Sequence, residues 1–226
     1  MYQRYMKRFL DFFLALCGCI ILSPVLGVVA ILVRMKLGSP VIFKQQRPGL
    51  NEKIFTLYKF RTMTDKRDTN GELLPDGVRL TPFGKMLRST SLDELPELFN
   101  ILQGTLAIVG PRPQLVKDMV FMSNEERQRH TVRPGLTGLA QVSGRNAIGW
   151  KERLQFDLKY IHKISFINDC RIIFKTIVQV LKKDGINTEG QATSEDFGDY
   201  LLRIGKVTQE EYDSKIKEYK EILGRS

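Results

Sequence analysis

Phe12-Phe-Leu-Ala-Leu-Cys-Gly-Cys-Ile-Ile-Leu-Ser-Pro-Val-Leu-Gly-Val-Val-Ala-Ile-Leu-Val33 is a run of 22 residues without a charge. As a straight helix rising ~1.5 Å per residue, it is long enough to cross a bilayer. Ser23-Pro24 falls in its middle. Proline removes a backbone donor and collides with the carbonyl four residues earlier, so the sequence predicts a kink at that point. Each half, about 11 residues or ~16 Å, then matches the depth of one leaflet. Arg4, Lys7 and Arg8 precede the run, and Arg34 and Lys36 follow it. Basic flanks on both sides hold both ends on the cytoplasmic side. These features point to a re-entrant helix-break-helix over residues 1–38, while a kinked crossing helix stays open because membrane helices tolerate proline. A secretory signal fits poorly, since no small-x-small cleavage site closes the run and Arg34 follows at once. Leu14-Ala-Leu-Cys17 is a poor lipoprotein box.

Outward from that segment, the 226 residues carry a formal net charge of +10, with 35 Lys and Arg against 25 Asp and Glu. Two His argue against a His-rich metal site or a Ser-His-Asp hydrolase, and three Cys cannot build a disulfide framework, which suits a reducing compartment. The basic excess calls for an anionic partner: nucleic acid, an anionic membrane or a phosphorylated substrate. It is confined to residues 1–184, because residues 185–226 carry nine acidic and six basic side chains. In that tail, Thr208-Gln-Glu-Glu211 reads as a capping box opening a helix through about Leu223, with Gly185–Thr193 as linker. The tail reads as a helical appendage without catalysis. Asp169–Asp184 sets Ile172, Ile173, Phe174, Ile177, Val178, Val180 and Leu181 among basic residues. That pattern fits an interfacial helix on anionic lipid or a core-packing helix equally well.

Between these elements, Val41–Phe43 and Ile54–Tyr58, joined through Arg47-Pro-Gly-Leu-Asn51, read as a β-hairpin. Its second strand runs into Lys59-Phe-Arg61, whose cations at i and i+2 share a face. Ser91-Leu-Asp93-Glu94-Leu-Pro96 places two carboxylates at a helix start. Such a pair can divide labour between attack and holding a divalent cation. Ser91-x-x-Glu94 is also a plain capping box, with acids at the positive end of a helix dipole. Pro111-Arg112-Pro113 presets the backbone of an arginine, and Arg133 to Arg145 spaces Gly135, Gly138 and Gly144 between two guanidiniums. Glycines let amides approach a phosphate, and arginine binds phosphate oxygens in pairs. Neither segment matches the P-loop or the dinucleotide fingerprint. Lys59, Arg61, Arg88, Arg112 and Arg145 around one carboxylate pair, beside a membrane segment, suggest a diphosphate meeting a lipid. Mixed charge and few candidate exposed aromatics make nucleic acid a weak partner. The chain thus reads as α+β: mostly helical, with a small β-hairpin, an N-terminal re-entrant membrane helix and interfacial amphipathic helices.

The motifs resemble those of the bacterial sugar transferases, specifically the small monotopic phosphoglycosyl transferases. The resemblance rests on Ser23-Pro24, Phe43-Lys-Gln-Gln-Arg-Pro-Gly49, Tyr58-Lys-Phe-Arg-Thr-Met63, Leu87-Arg88, Ser91-Leu-Asp-Glu-Leu-Pro-Glu-Leu-Phe-Asn100, Gly110-Pro-Arg-Pro113 and Arg133-Pro-Gly-Leu-Thr-Gly-Leu-Ala-Gln-Val-Ser-Gly-Arg145. It covers the chain from Lys7 to about residue 184. It implies a membrane segment over 1–38, a catalytic domain over 39–184 and an appendage over 185–226. It further implies transfer of a sugar 1-phosphate, of an N-acetylated hexosamine type, from a UDP-sugar to polyprenyl (undecaprenyl) phosphate, with UMP released, as a first membrane step of glycan assembly. By motif position, Asp93 is the expected nucleophile, forming an aspartyl-phosphosugar, and Glu94 the expected ligand of Mg2+ (or Mn2+). Lys59, Arg61, Arg88, Arg112, Arg145 and Asp157 are expected to bind substrate. Ser23 and Pro24 would shape the re-entrant helix, and Pro111 and Pro113 the loop of Arg112. The implied setting is the cytoplasmic face of a bacterial inner membrane, with the identity of the sugar and self-association left open.

Overall fold

The computed structural model describes residues 2–144, 148–182 and 195–224. The N-terminal apolar run lies within one helix, α1, Lys7–Leu37, the one described helix long and apolar enough to cross a membrane by length and composition. It differs from the expectation at its middle, because helical hydrogen bonding continues through Pro24. Pro24 cannot donate to the Ile20 carbonyl, and the Ser23 hydroxyl does so instead at 2.8 Å. The carbonyl therefore keeps a partner and the helix persists.

One stripe of α1 packs on the rest of the molecule along its whole length. Ala15, with Cys19 and Leu22 beside it, enters a core of Phe55, Leu57, Leu98, Ile101 and Leu106. Val29, Val33 and Leu37 enter a second core with Phe60 and Leu87. The spacing follows successive turns of one helix face. The remaining face stays exposed and apolar, with Phe9, Phe13, Ile20, Ile21, Val28, Ile31 and Met35 outermost.

Strands β1 (Ile42–Pro48) and β2 (Ile54–Phe60) form the expected antiparallel hairpin, in register from Ile42 opposite Phe60 to Pro48 opposite Ile54. After a loop come the short helix α2 (Asp76–Arg79), then α3 (Pro82–Ser89) and α4 (Glu97–Gln103). Asn100 on α4 is fully buried and stitches α4 to the backbone of β2: its Oδ1 accepts from the Tyr58 N–H at 3.0 Å and its Nδ2 donates to the Thr56 carbonyl at 2.7 Å. Strand β3 (Ala107–Val109) leads into the Pro111-Arg112-Pro113 loop and pairs in parallel with β4 (Gly135–Thr137). Between them lie α5 (Val116–Met119) and α6 (Asn124–Arg127).

Helices α7 (Leu139–Gly144), α8 (Trp150–His162) and α9 (Phe166–Lys182) follow. Helix α9 starts three residues before the expected Asp169 and combines both of its sequence readings. Ile172 packs in the core, while Phe166, Ile167, Phe174, Ile177 and Leu181 are exposed. Its buried Asp169 accepts from Lys7 Nζ at 2.6 Å and from the Tyr160 hydroxyl at 2.9 Å, tying the start of α1 to α8 and α9.

The tail contributes α10 (Phe197–Arg203) and α11 (Gln209–Gly224). The capping box forms as expected, with reciprocal bonds between Thr208 and Glu211. The linker over residues 185–193 lies outside the described residues. The described part of the tail packs against α5 and α8. Phe197 packs on Trp150 with ring centres 5.0 Å apart, and Lys117 on α5 pairs with Asp196 and Asp199.

Candidate active site

Strand alternation carries Lys59 onto the same side of β2 as buried Phe55 and Leu57, the side that meets α4. There its ammonium lies 2.7 Å from Glu94 Oε1 and 3.1 Å from Glu97 Oε1. The carboxylate pair sits just before α4, in a tight turn over Leu92–Glu94 that follows Ser91, whose φ of 55° is left-handed. The Ser91 side chain makes no capping bond, so the capping-box reading is not realised. The acidic side chains face cations instead of closing a helix end.

Arg112 reaches the same oxygen, its Nη2 2.9 Å from Glu94 Oε1. Its loop is fixed from three directions. Arg47 donates to the Pro113 carbonyl at 3.1 Å. Arg129 donates to the Arg112 carbonyl. Gly110 and Gly135 exchange bonds with the opposite strand ends, Gly110 N to Thr137 O and Gly135 N to Pro111 O, each at 2.9 Å. A Cβ on Gly135 would lie 2.1 Å from the Gly110 nitrogen. Gly110 and Gly135 therefore permit two backbones to meet, which is a different role from cradling a phosphate. Pro111 and Pro113, both buried, flank the arginine as expected. Arg88, near the end of α3, donates through Nε to Thr62 Oγ1 at 3.1 Å, and its charge bears on Asp93.

Neighbouring carboxylates are driven apart electrostatically. Burial and the adjacent Glu94 charge push Asp93 up to about 6, against Lys59, Arg88 and Arg112. Burial acts on Glu94 too, but Lys59 and Arg112 outweigh it and hold Glu94 well below the ordinary carboxylate range. Glu97, 3% exposed, is pushed up to about 7 by burial, with Lys59 opposing and Glu94 adding to the rise. On Lys59, burial is overcome by Glu94 and Glu97, which raise it.

Among the described residues, no three His, Cys, Asp or Glu side chains converge into a metal cage. The donor set at Asp93 and Glu94 suits a hard cation completed by substrate, since Mg2+ is commonly held by one or two carboxylates plus phosphate oxygens and water.

A family model described as bacterial sugar transferase matches residues 2–183. This chain belongs to the bacterial sugar transferase family. The transferase is 47% identical over 196 residues to an uncharacterized sugar transferase, EpsL, of Bacillus subtilis, covering 85% of this chain and 95% of that one. It is 40% identical over 186 residues to the UDP-glucose:undecaprenyl-phosphate glucose-1-phosphate transferase of Xanthomonas campestris, covering 77% of this chain and 38% of that protein. It is 36% identical over 200 residues to the undecaprenyl-phosphate galactose phosphotransferase of Salmonella typhimurium, covering 81% and 42% respectively. It therefore spans about two fifths of the length of the latter two.

Of the residues expected from sequence, Asp93, Glu94, Lys59, Arg88 and Arg112 come together in this transferase. Arg61 does not join them. The chain leaves the strand after Phe60, and the Arg61 guanidinium is taken up by the Ser39 and Met63 carbonyls, each at 2.7 Å, and by Asp65. Asp157 does not line the site either. It is 1% exposed and doubly bonded to Arg129, at 3.0 and 2.7 Å, so it reaches the site only through Arg129 and the Arg112 carbonyl. Arg145 lies outside the described residues. Sequence reasoning missed Glu97, although its i+3 spacing from Glu94 could have placed the two on one helix face. It also missed Arg47, which lies in one of the motifs but was given no role, and Arg129, which lies in none of them.

Proposed function

We propose that this sugar transferase moves a sugar 1-phosphate from a UDP-sugar to a membrane polyprenyl phosphate through Asp93. A carboxylate oxygen of Asp93 attacks the sugar-bearing phosphorus, and the phosphoanhydride bond breaks to release UMP. The acceptor phosphate then attacks that phosphorus and displaces Asp93, leaving a polyprenyl-diphosphate-sugar. The observation that carries this reading is the convergence of Asp93 and Glu94 with Lys59, Arg88 and Arg112 in one partly buried cluster. An anionic nucleophile attacking an anionic phosphate needs its repulsion offset, and preorganised cations do this most strongly where water is excluded. The split reaction lets a soluble donor and an embedded acceptor use one site in turn.

Glu94 is the side chain that would hold Mg2+ (or Mn2+), because Lys59 and Arg112 keep it ionised. The cation would neutralise charge on the donor diphosphate. Lys59 and Arg112 would orient phosphate oxygens, with Arg112 held in place by Arg47 and Arg129.

Both halves of α1 pack on the same domain, so its two ends stay on one side of the bilayer with the apolar outer face in lipid. The basic flanks support a cytoplasmic active site. The exposed apolar face of α9, with Arg171 and Lys175 beside it, suits an anionic membrane surface. Tags on the two termini should both report as cytoplasmic, and an external N-terminus would refute this topology.

The experiment that tests the reaction is UMP release by the purified protein. Multiple turnovers should require a UDP-sugar, polyprenyl phosphate and Mg2+, and Asp93→Asn should abolish them. Activity intact in that variant would overturn the assignment of the nucleophile. Relatives named for their sugar act on glucose or galactose, so the donor panel runs from these to N-acetylated hexosamines.

A further inference from the structure

Helix α8 buries Trp150, Leu154, Asp157 and Tyr160. Arg153, three residues after Trp150 and four before Asp157, shares that face. Its guanidinium lies over the Trp150 ring, 4.9 Å from the centroid. Trp150 is itself held by the tail, through the Glu195 carbonyl at 3.1 Å and the Phe197 ring. Arg61, Arg79, Arg127 and Arg129 each pair with a carboxylate. Arg153, although half-buried, makes no hydrogen bond or ion pair among the described residues.

The charge that acts on Arg153 most is Arg112, followed by Asp157, Asp118 and Arg129. Burial and the Arg112 charge push its pKa down. Arg47, which holds the Pro113 carbonyl, is lowered by the same two effects to about 10. The nearby carboxylates are already engaged: Asp157 accepts twice from Arg129, and Asp118 accepts from the Leu115 and Phe197 backbone N–H groups. Guanidiniums that repel one another, with no carboxylate free to join them, suit an external anion, and phosphate is the anion their paired donors match best.

We infer that Arg153 binds the nucleotide-side phosphate of the UDP-sugar together with Arg112. The inference rests on the transferase reading above. Asp93 lies among Glu94, Lys59, Arg88 and Arg112, whereas Arg153 lies among Arg112, Asp157, Asp118 and Arg129. Arg112 is common to the two groups, so Arg153 stands one guanidinium further from the nucleophile. That is the place of the second phosphate when the first is under attack by Asp93, because attacking and leaving oxygens are roughly in line. As the bond from Asp93 to phosphorus forms and the phosphoanhydride bond breaks, the electron pair stays on the UMP oxygen. A guanidinium fixed on Trp150 offsets the charge that gathers there.

The test compares wild type with Arg153→Met and Arg153→Gln, both of which remove the charge and keep a straight stem over Trp150. The full-length protein is assayed with Mg2+, its UDP-sugar and undecaprenyl phosphate, reading kcat/KM for each substrate and product inhibition by UMP. UMP leaves before the acceptor reacts, so a residue that holds the nucleotide-side phosphate acts on the donor half-reaction alone. The expected result in either variant is a fall of about tenfold in kcat/KM for the UDP-sugar and UMP inhibition weakened about tenfold, the worth of one charge-assisted bond. kcat/KM for undecaprenyl phosphate should stay within twofold. A donor kcat/KM within twofold of wild type overturns the inference. Equal falls for donor and acceptor overturn it too, since displacement of Arg112 would slow both half-reactions. A fall confined to the acceptor would assign the anion to the acceptor phosphate instead and overturn it as well. Wild-type protein that gives no acceptor-dependent UMP would refute the transferase reading, and the role of Arg153 with it.

Discussion

Replacing Asp157 by Asn separates a positioning role from a substrate-binding one. The Arg129 and Asp157 side chains are 1% and 2% exposed and joined by two hydrogen bonds. Asn keeps the shape and one acceptor oxygen but removes the negative charge, stranding a buried guanidinium. Breaking a buried pair from one side costs about 3–5 kcal/mol. In a domain of this size each kcal/mol moves the melting temperature by about 2–4 °C, so the apparent Tm should fall by roughly 6–20 °C. Activity should fall as well, through Arg112, whose carbonyl accepts from the same Arg129. A displacement of about 1 Å at a positioning group can cost ~100-fold in rate. The companion variant is Arg129→Met with Asp157→Leu. An apolar pair of similar volume restores most of the stability, yet supplies no donor for the Arg112 carbonyl, so kcat should stay low while Tm recovers. Differential scanning fluorimetry and UMP release on the same samples decide the matter. A single variant melting within ~2 °C of wild type, or a double variant with full activity, refutes the reasoning. A rise in KM for the UDP-sugar without loss of stability would return Asp157 to the substrate surface.

Two further outcomes follow from the site and the tail. With Asp93 pushed up to about 6, kcat/KM should fall about tenfold per unit as pH drops below 6, because protonation would remove the proposed nucleophile; a limb near 4 would show that Asp93 is not buried as described. Raising Mg2+ from limiting to saturating should move that limb to lower pH, since a cation beside Glu94 favours the ionised form. Trp150, the only tryptophan in the chain, donates to the Glu195 carbonyl and stacks near Phe197. Phe197→Ala should therefore red-shift the intrinsic fluorescence and cost about 3–5 kcal/mol; an unchanged spectrum would mean that the tail does not dock there.

The sequence was legible where a short-range rule governs the structure. Alternation marked the hairpin, Thr208 and Glu211 marked the start of α11, and the spacing of Ile172 and its neighbours marked α9. It was illegible where a tertiary partner decides. Arg129 lies in none of the motifs, yet it is 2% exposed and paired with buried Asp157, a partner 28 residues away in the chain. Strands β3 and β4 have three residues each, too few for periodicity to register. Pro24 predicted a break because the rule counts the missing N–H, whereas the Ser23 hydroxyl supplies a donor in its place. The same blindness affected the cations: Lys59 and Arg61 look alike at i and i+2, and only the end of β2 between them sends one to the carboxylates and the other to backbone carbonyls.

Why two adjacent carboxylates can take different roles follows from that geometry. Sequence alone makes Asp93 and Glu94 equivalent acids at a helix start. In the fold, Lys59 and Arg112 both approach one oxygen of Glu94. This holds Glu94 well below the ordinary carboxylate range, and a group so held can serve as a fixed counter-charge or cation ligand. Asp93 feels the same cations at longer range, together with burial and the Glu94 charge, and settles near 6. A carboxylate poised there is ionised at neutral pH yet more basic than an ordinary one, and nucleophilicity rises with basicity. Divergent environments for neighbouring titratable groups are what assign roles in acid–base sites. Here the divergence originates in Ser91, whose left-handed backbone sets the turn, and in Asn100, which clamps α4 to β2 and so brings Lys59 to Glu94 rather than to Asp93.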